Sequence, residues 1–405
     1  MATPLPRLRM DLDFMPSPIP DRPGLFIRDP FHYTDAVAIV PPVLVEGLRL
    51  FDGDHTDLDL QAHLVRLTGQ LVPSEVVKQF IDQLCQNGFL RTPEFEELKE
   101  ARRREFREAA ERLPTHAGSA YPDEEAELRE RFDGWASQTT DQADADGNLT
   151  AIAAPHVSPD GGWHSYAAAY QRLGPEHADK TFVILGTSHY GPAEKFGLTR
   201  KPFVTPLGRL EPDLPLVNAL IEQGGEAVAL EDYCHSIEHS IEFQCVFLQH
   251  RLGSAIKIVP ILCGPLAESL LTGQRPETNE RVRRFFDALR EMSEKHGRRL
   301  VWVLGIDLAH IGRRYGDQTP ARAEEGQMAA VRRQDEDRLD RVCAGDSEGF
   351  FELVRPNHDE LRWCGYSPVY TFLQAVPAAR GRLLRYEQWN IDEMSVVSFA
   401  GMQFR

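Results

Sequence analysis

A chain of 405 residues with a formal charge of -17 and a pI near 5.3 exceeds the usual reach of one core. Two domains, or one large domain with an appendage, are therefore expected. The acidity opposes phosphate backbones and no Lys/Arg cluster stands out, so nucleic acid is excluded as an expected partner. No apolar run approaches the roughly 20 residues that span a bilayer. The opening Met1-Ala2-Thr3-Pro4-Leu5-Pro6-Arg7 also lacks an apolar signal core, and the expectation is a cytoplasmic protein without a membrane partner.

Residues 1–27 are rich in proline and poor in periodicity, and read as an extended leader. Residues 28–92 suggest a small helical, winged-helix-like domain. Pro41-Pro42 opens one helix through Leu44 and Leu48, Leu58 to Leu67 mark a second, and Val76, Val77, Phe80, Ile81 and Leu84 a third that Asn87-Gly88 stops. With Leu50-Phe51-Asp52-Gly53-Asp54-His55-Thr56 before and Gln86-Asn87-Gly88-Phe89-Leu90 after, the segment resembles the PqqD-like peptide-recognition domains. That resemblance implies a leader peptide held against the third helix and an edge strand. A helical cap on the main domain is the alternative reading. Residues 93–114 are charged and predict a solvated linker helix, followed by a helix through Leu128, Phe132 and Trp135 and a polar acidic loop from Ser137 to Gly147.

From 115 to 405 strand and helix patterns alternate, which predicts an α/β domain with a mostly parallel central sheet and flanking helices. Three stretches set its character. Ala151-Ile152-Ala153-Ala154-Pro155-His156, Phe182-Val183-Ile184-Leu185-Gly186-Thr187-Ser188-His189 and Leu300-Val301-Trp302-Val303-Leu304-Gly305-Ile306-Asp307 are continuous apolar runs that end in polar groups, with His310 just past the third. Buried parallel strands read this way, and ligands bind at their carboxyl ends. Asp160-Gly161-Gly162 predicts a loop before a helix from Ser165 to Leu173. Ser236 to Gln244 predicts the opening of another helix, with Glu238 and Glu242 of Glu238-His239-Ser240-Ile241-Glu242 on one face. A long charged helix is expected over about 321–343, a further helix after Cys364-Gly365, and two closing strands near 383–389 and 396–400. The six cysteines, Cys85, Cys234, Cys245, Cys263, Cys343 and Cys364, have no paired spacing, so neither disulfides nor a zinc knuckle are expected.

These stretches, with Thr115-His116-Ala117-Gly118-Ser119-Ala120-Tyr121, Thr205-Pro206-Leu207-Gly208, Ile258-Val259-Pro260-Ile261-Leu262, His310-Ile311-Gly312, Cys364-Gly365 and Ser395-Val396-Val397-Ser398, follow in the order of the MEMO-like family. The chain resembles that family over 115–405. Its members include protein B of the AmmeMemoRadiSam gene set and are similar in fold to class III extradiol dioxygenases. The resemblance implies metal ligands at His156, His189 and Cys364, with Asp307, His310 and His239 as proton-handling groups in the same cleft. It also implies, as partners, a radical SAM enzyme and an AMMECR-like protein. Two imidazoles and an anionic ligand suit iron(II) first, while a thiolate makes copper and zinc competitors. The chain departs from the family at Val157-Ser158-Pro159, at Gly305-Ile306, and at Tyr366, where an arginine is usual. The preferred reading is a metal-dependent oxidoreductase acting on a peptide or small molecule. A non-catalytic peptide-binding scaffold and a copper- or iron-binding protein are the alternatives.

Overall fold

The structure, a computed structural model, describes residues 2–138 and 148–405, so the acidic loop expected at 137–147 lies almost wholly outside the described residues. The chain divides into two compact units, Met1–Glu108 and Ala109–Arg405.

In the first unit, residues expected as an extended leader are built into sheets. Asp13–Pro16 and Leu25–Arg28 pair antiparallel, Val37–Val40 completes a three-stranded sheet, and Arg7–Leu8 pairs with Leu90–Arg91. The strands form because their apolar side chains have a core to enter, made with Leu48, Leu60, Leu64, Phe80 and Leu84 of the helices. The three expected helices are present. Pro42–Val45 runs into a 3-10 turn over Glu46–Leu50, Asp57–Thr68 starts at a Thr56/Asp59 capping box, and Ser74–Gln86 buries Val77, Phe80 and Leu84. The strand after the third helix pairs back to Arg7–Leu8, because Pro93 immediately opens the next helix. That charged helix spans Pro93–Glu108 and buries Phe95 and Phe106, so it is not solvated all round.

In the second unit the sheet has a parallel centre, ordered Lys257–Cys263, Thr181–Thr187, Leu300–Gly305 and Ala151–Ala154. Antiparallel Ser395–Phe404 continues it, with Gly381–Asp392 along one edge and His310–Gly312 along the other. Every residue of the four central strands except Lys257 is buried, as continuous apolar runs require when both faces are covered. Two large apolar clusters lie against the sheet, one centred on Phe285, Trp302 and Tyr370, the other on Tyr166, Phe182 and Phe247.

Two local expectations are corrected. Asp160-Gly161-Gly162 lies inside the Pro159–Tyr170 helix. Gly161 is there for close approach, since a Cβ would stand 2.7 Å from the Trp389 ring. The helix expected from Ser236 begins only at Glu242. Glu238 and His239 precede it in a turn that crosses the sheet edge, a path open because Gly305 at the end of its strand and Gly186 one residue before the end of its own lack side chains. A Cβ on Gly305 would meet the Ser240 carbonyl at 2.3 Å and one on Gly186 the Ser240 hydroxyl at 2.5 Å.

Candidate metal centre

The register of the parallel strands aligns Gly305 with both Ala154 and Gly186. His156, His189 and Asp307 each stand two residues beyond their strand, so the topology delivers them to one edge. The rings of His156 and His189 are 5.0 Å apart, and His239 from the crossing turn is 5.3 Å from the first and 5.0 Å from the second. Donor atoms of these three histidines lie within 4.8 Å of one another, as do those of His156, Asp307 and Cys364. Cys364 enters from the segment before the Tyr366–Ala375 helix, and its Sγ is 3.2 Å from His156 Nε2.

Hydrogen bonds fix which nitrogens face the shared point. His156 Nδ1 lies 2.9 Å from the Gly305 carbonyl, which can only accept, so Nδ1 carries a proton and Nε2 is the nitrogen turned toward the Cys364 sulfur, placed to meet a metal. His189 Nδ1 lies 2.7 Å from Glu238 Oε1, while the His189 backbone N–H donates to Oε2 at 2.8 Å. One carboxylate thereby fixes both the backbone and the ring of His189. Burial pushes the Glu238 carboxyl up, but His189 outweighs that and holds it below its ordinary range. Burial favours neutral His189, yet Glu238 and Cys364 raise it well above the usual imidazole value. His239 is held well below that value by burial and by its histidine neighbours.

Burial pushes the Cys364 thiol up, but His156 and His189 bring it down to about 7. Burial pushes Asp307 up to about 6 although its Oδ1 accepts from the backbone N–H groups of His156 and Val157. The side chains of His156 and Asp307 are 2% and 4% exposed and form the floor; those of His189 and His239, at 27% and 28%, form the mouth. His310 belongs to neither donor group among the described residues. Its Nδ1 faces the Leu308 and Arg362 carbonyls at 2.9 and 3.1 Å, its ring meets Tyr315 edge-on, and burial lowers its pKa.

The donor set suits a transition metal. Two ligands on a tetrahedral ion with Zn–N and Zn–S bonds stand about 3.5 Å apart, close to the 3.2 Å between His156 Nε2 and Cys364 Sγ. Imidazole and thiolate donors select iron, copper or zinc over magnesium or calcium.

Sequence reasoning quoted Glu242 and the 115–121 stretch without seeing that they meet. Glu242 is fully buried and pairs with Arg112, accepts from the backbone N–H of His116 at 2.9 Å, and from the Tyr121 hydroxyl at 2.5 Å. Arg112 also donates to the carbonyls of His235 and Glu238. The His116 ring packs edge-on against His239 at 5.5 Å. The signal was the second glutamate of Glu238-His239-Ser240-Ile241-Glu242, which serves the amino-terminal stretch while the first serves His189.

A family model described as Memo-like protein matches residues 112–403. The chain belongs to the Memo-like family. A MEMO1 family protein of Aquifex aeolicus is 27% identical over 93% of this chain and 95% of its own length. One from Thermococcus kodakarensis is 29% identical over 73% of this chain and 99% of its own, and one from Pyrococcus furiosus 29% over 67% and 89%. Ala109–Arg405 is too short to hold the Aquifex match, so that Memo-like relative also aligns with part of the first unit. Within this chain's Memo-like unit, Tyr366 is buried, with its hydroxyl 3.0 Å from that of Ser269, so no positive charge stands where an arginine was expected. No helix among the described residues is long and apolar enough to cross a membrane.

Proposed function

We propose that the chain is a metal-dependent oxidoreductase acting on a peptide or small molecule, with iron(II) as the first expectation and copper or zinc as competitors. The observation that carries this reading is the convergence of His156 and His189, each with Nδ1 engaged by oxygen, on the Cys364 sulfur. When bound, a redox-active ion supplies Lewis acidity and electron transfer. Around it, Asp307, titrating near 6, exchanges a proton with a group bound at the floor of the cleft. His239 stays neutral at the mouth, able to accept one. His310 acts from outside the donor groups, through its charge interaction with Asp307.

The first unit recruits the peptide in this reading, as the PqqD-like resemblance implies, and a radical SAM enzyme and an AMMECR-like protein are its expected partners. A cavity of about 420 Å³ lined by Pro4, Leu5, Leu58, Val77 and Ile81 lies along the third helix and supports that role. A second reading, a metal-holding protein without turnover, is favoured by His239, whose donor atom joins the other two histidines as a further protein ligand. Metal analysis of anaerobically prepared protein, then oxygen consumption with candidate peptides, separates them. Bound iron with peptide-dependent consumption supports the oxidoreductase; bound metal without consumption supports the second reading.

A further inference from the structure

Cys364 follows an unusual backbone. Asn357, His358, Asp359 and Arg362 all have φ between 52° and 65°, a region costly for residues other than glycine. Such conformations persist only where the surroundings over-determine them, and here the Met328–Cys343 helix does so. Arg338 donates to Asp359 Oδ1 at 2.7 Å, and Asp359 Oδ2 accepts the Trp363 backbone N–H at 2.6 Å. One turn earlier on the same helix, Asp335 Oδ1 accepts the Trp363 indole N–H at 2.7 Å.

The other oxygen of Asp335 serves the opposite wall. Oδ2 accepts from Ser398 Oγ at 2.6 Å and from the Tyr386 hydroxyl at 2.7 Å. Ser398 Oγ in turn accepts the Ala309 backbone N–H at 2.9 Å, so its single proton is committed to Asp335. Backbone bonds from Leu308 to the Ser398 carbonyl, at 2.8 Å, and from Ser398 to the Ala309 carbonyl, at 2.9 Å, complete the grip on the turn between Asp307 and His310. The walls meet where the Gly365 N–H donates to the Asp307 carbonyl at 3.0 Å.

We infer that Asp335, outside the cleft, is a positioning residue that holds the Asp307–His310 turn and the Trp363–Cys364 segment in fixed relation. Its bonds to both walls are geometric facts; its consequence for metal rests on the reading of Cys364 as a ligand. A side chain with an NH2 at one of these positions cannot accept all three bonds, so Asp335→Asn breaks the arrangement at nearly constant volume.

The test uses the full metal-free chain and two readouts. In hydrogen exchange, Asp335→Asn should speed the Ala309 or the Trp363 amide about tenfold, at whichever wall the NH2 faces, with Thr181–Thr187 unchanged. In cobalt(II) titration it should weaken binding about tenfold to a hundredfold and shift the thiolate-to-cobalt band, a change that mere loss of stability would not produce. Should Asp335→Asn fail to fold, Ser398→Ala should loosen only Ala309 and Trp363→Phe only the Cys364 wall. Unchanged exchange at both walls overturns the inference, as does wild-type cobalt binding in Asp335→Asn when Cys364→Ser has lost the band. If Cys364→Ser titrates like wild type, the metal reading fails instead, and exchange alone decides: faster at one wall or both upholds the role of Asp335, unchanged at both refutes it.

Discussion

Both units bury charge, and they do it differently. In the first, Arg9 and Asp29 have fully buried side chains, and the guanidinium is spent on Asp29, Asp11 and the Gly88 carbonyl while lying 4.0 Å from the centre of the Phe95 ring. In the cleft of the second, His156 Nε2 stands 3.2 Å from Cys364 Sγ and 3.4 Å from Asp307 Oδ2, each a potential ligand in its own right. Buried polarity alone therefore does not mark a site. Polar atoms whose nearest partners are other potential ligands do.

That contrast is broken most directly by deleting one member on each side. Asp29→Ala should cost about 1–3 kcal/mol, since Arg9 loses its fully buried partner but keeps Asp11, and leave metal content per chain unchanged by elemental mass spectrometry. His156→Ala or His189→Ala should bring metal content to background, and Cys364→Ser should lose soft-metal binding that Cys85→Ser, in the first unit, retains. Full metal content in the two histidine variants and Cys364→Ser would remove the basis for treating the cleft as a centre.

A finer cut separates ligands from the group that aims them. Glu238→Gln keeps one acceptor but turns an NH2 toward either the His189 ring or its backbone N–H. Zinc or cobalt affinity should fall about tenfold to a hundredfold, as for other groups that orient a metal-binding histidine. An unchanged titration curve would show that Glu238 is only a structural anion. Asp307→Asn, which retains an acceptor for the His156 and Val157 N–H groups, should spare metal content and slow any turnover found with a substrate. Loss of metal in that variant would make Asp307 a ligand.

How much of this was legible differs by residue. His156, His189 and Asp307 could be read because apolar runs ending at a sheet edge leave a one-dimensional signal. The aim of Glu238 could not. Its spacing from Glu242 matches one helical face, and only the room above Gly186 and Gly305 shows that the chain turns there instead. The strands within residues 1–27 were hidden for a related reason: they are two to four residues long, and Arg7–Leu8 finds its partner at Leu90–Arg91. Asp335 sat unremarked in a charged helix, since nothing local tells a buried aspartate from a solvated one.

The last effect expected is a pH dependence that separates Asp335 from Glu242, another buried carboxylate of the same unit. Burial pushes Asp335 up to about 6, against the pull of Ser398, Tyr386 and Trp363. A carboxyl raised in the folded state binds its proton there before the unfolded chain does. Its contribution is therefore fully present below the unfolded value near 3.8 and is lost as pH rises through about 6. Burial also pushes Glu242 up, but Arg112, His116 and Tyr121 outweigh it and hold that carboxyl low. Its contribution has the opposite sign, present above the ordinary glutamate range and lost in acid. All five tryptophans lie in the second unit, so their fluorescence in urea follows that unit alone. The difference in stability between wild type and Asp335→Asn should fall by about 1.4 kcal/mol per pH unit between roughly pH 4 and 6 and level off above. A difference that stays flat across this range would mean that Asp335 is ionised throughout. Where it does protonate, Tyr386 can absorb the change by turning its hydroxyl to accept, whereas Ser398 has its only proton committed to Asp335 while it holds Ala309.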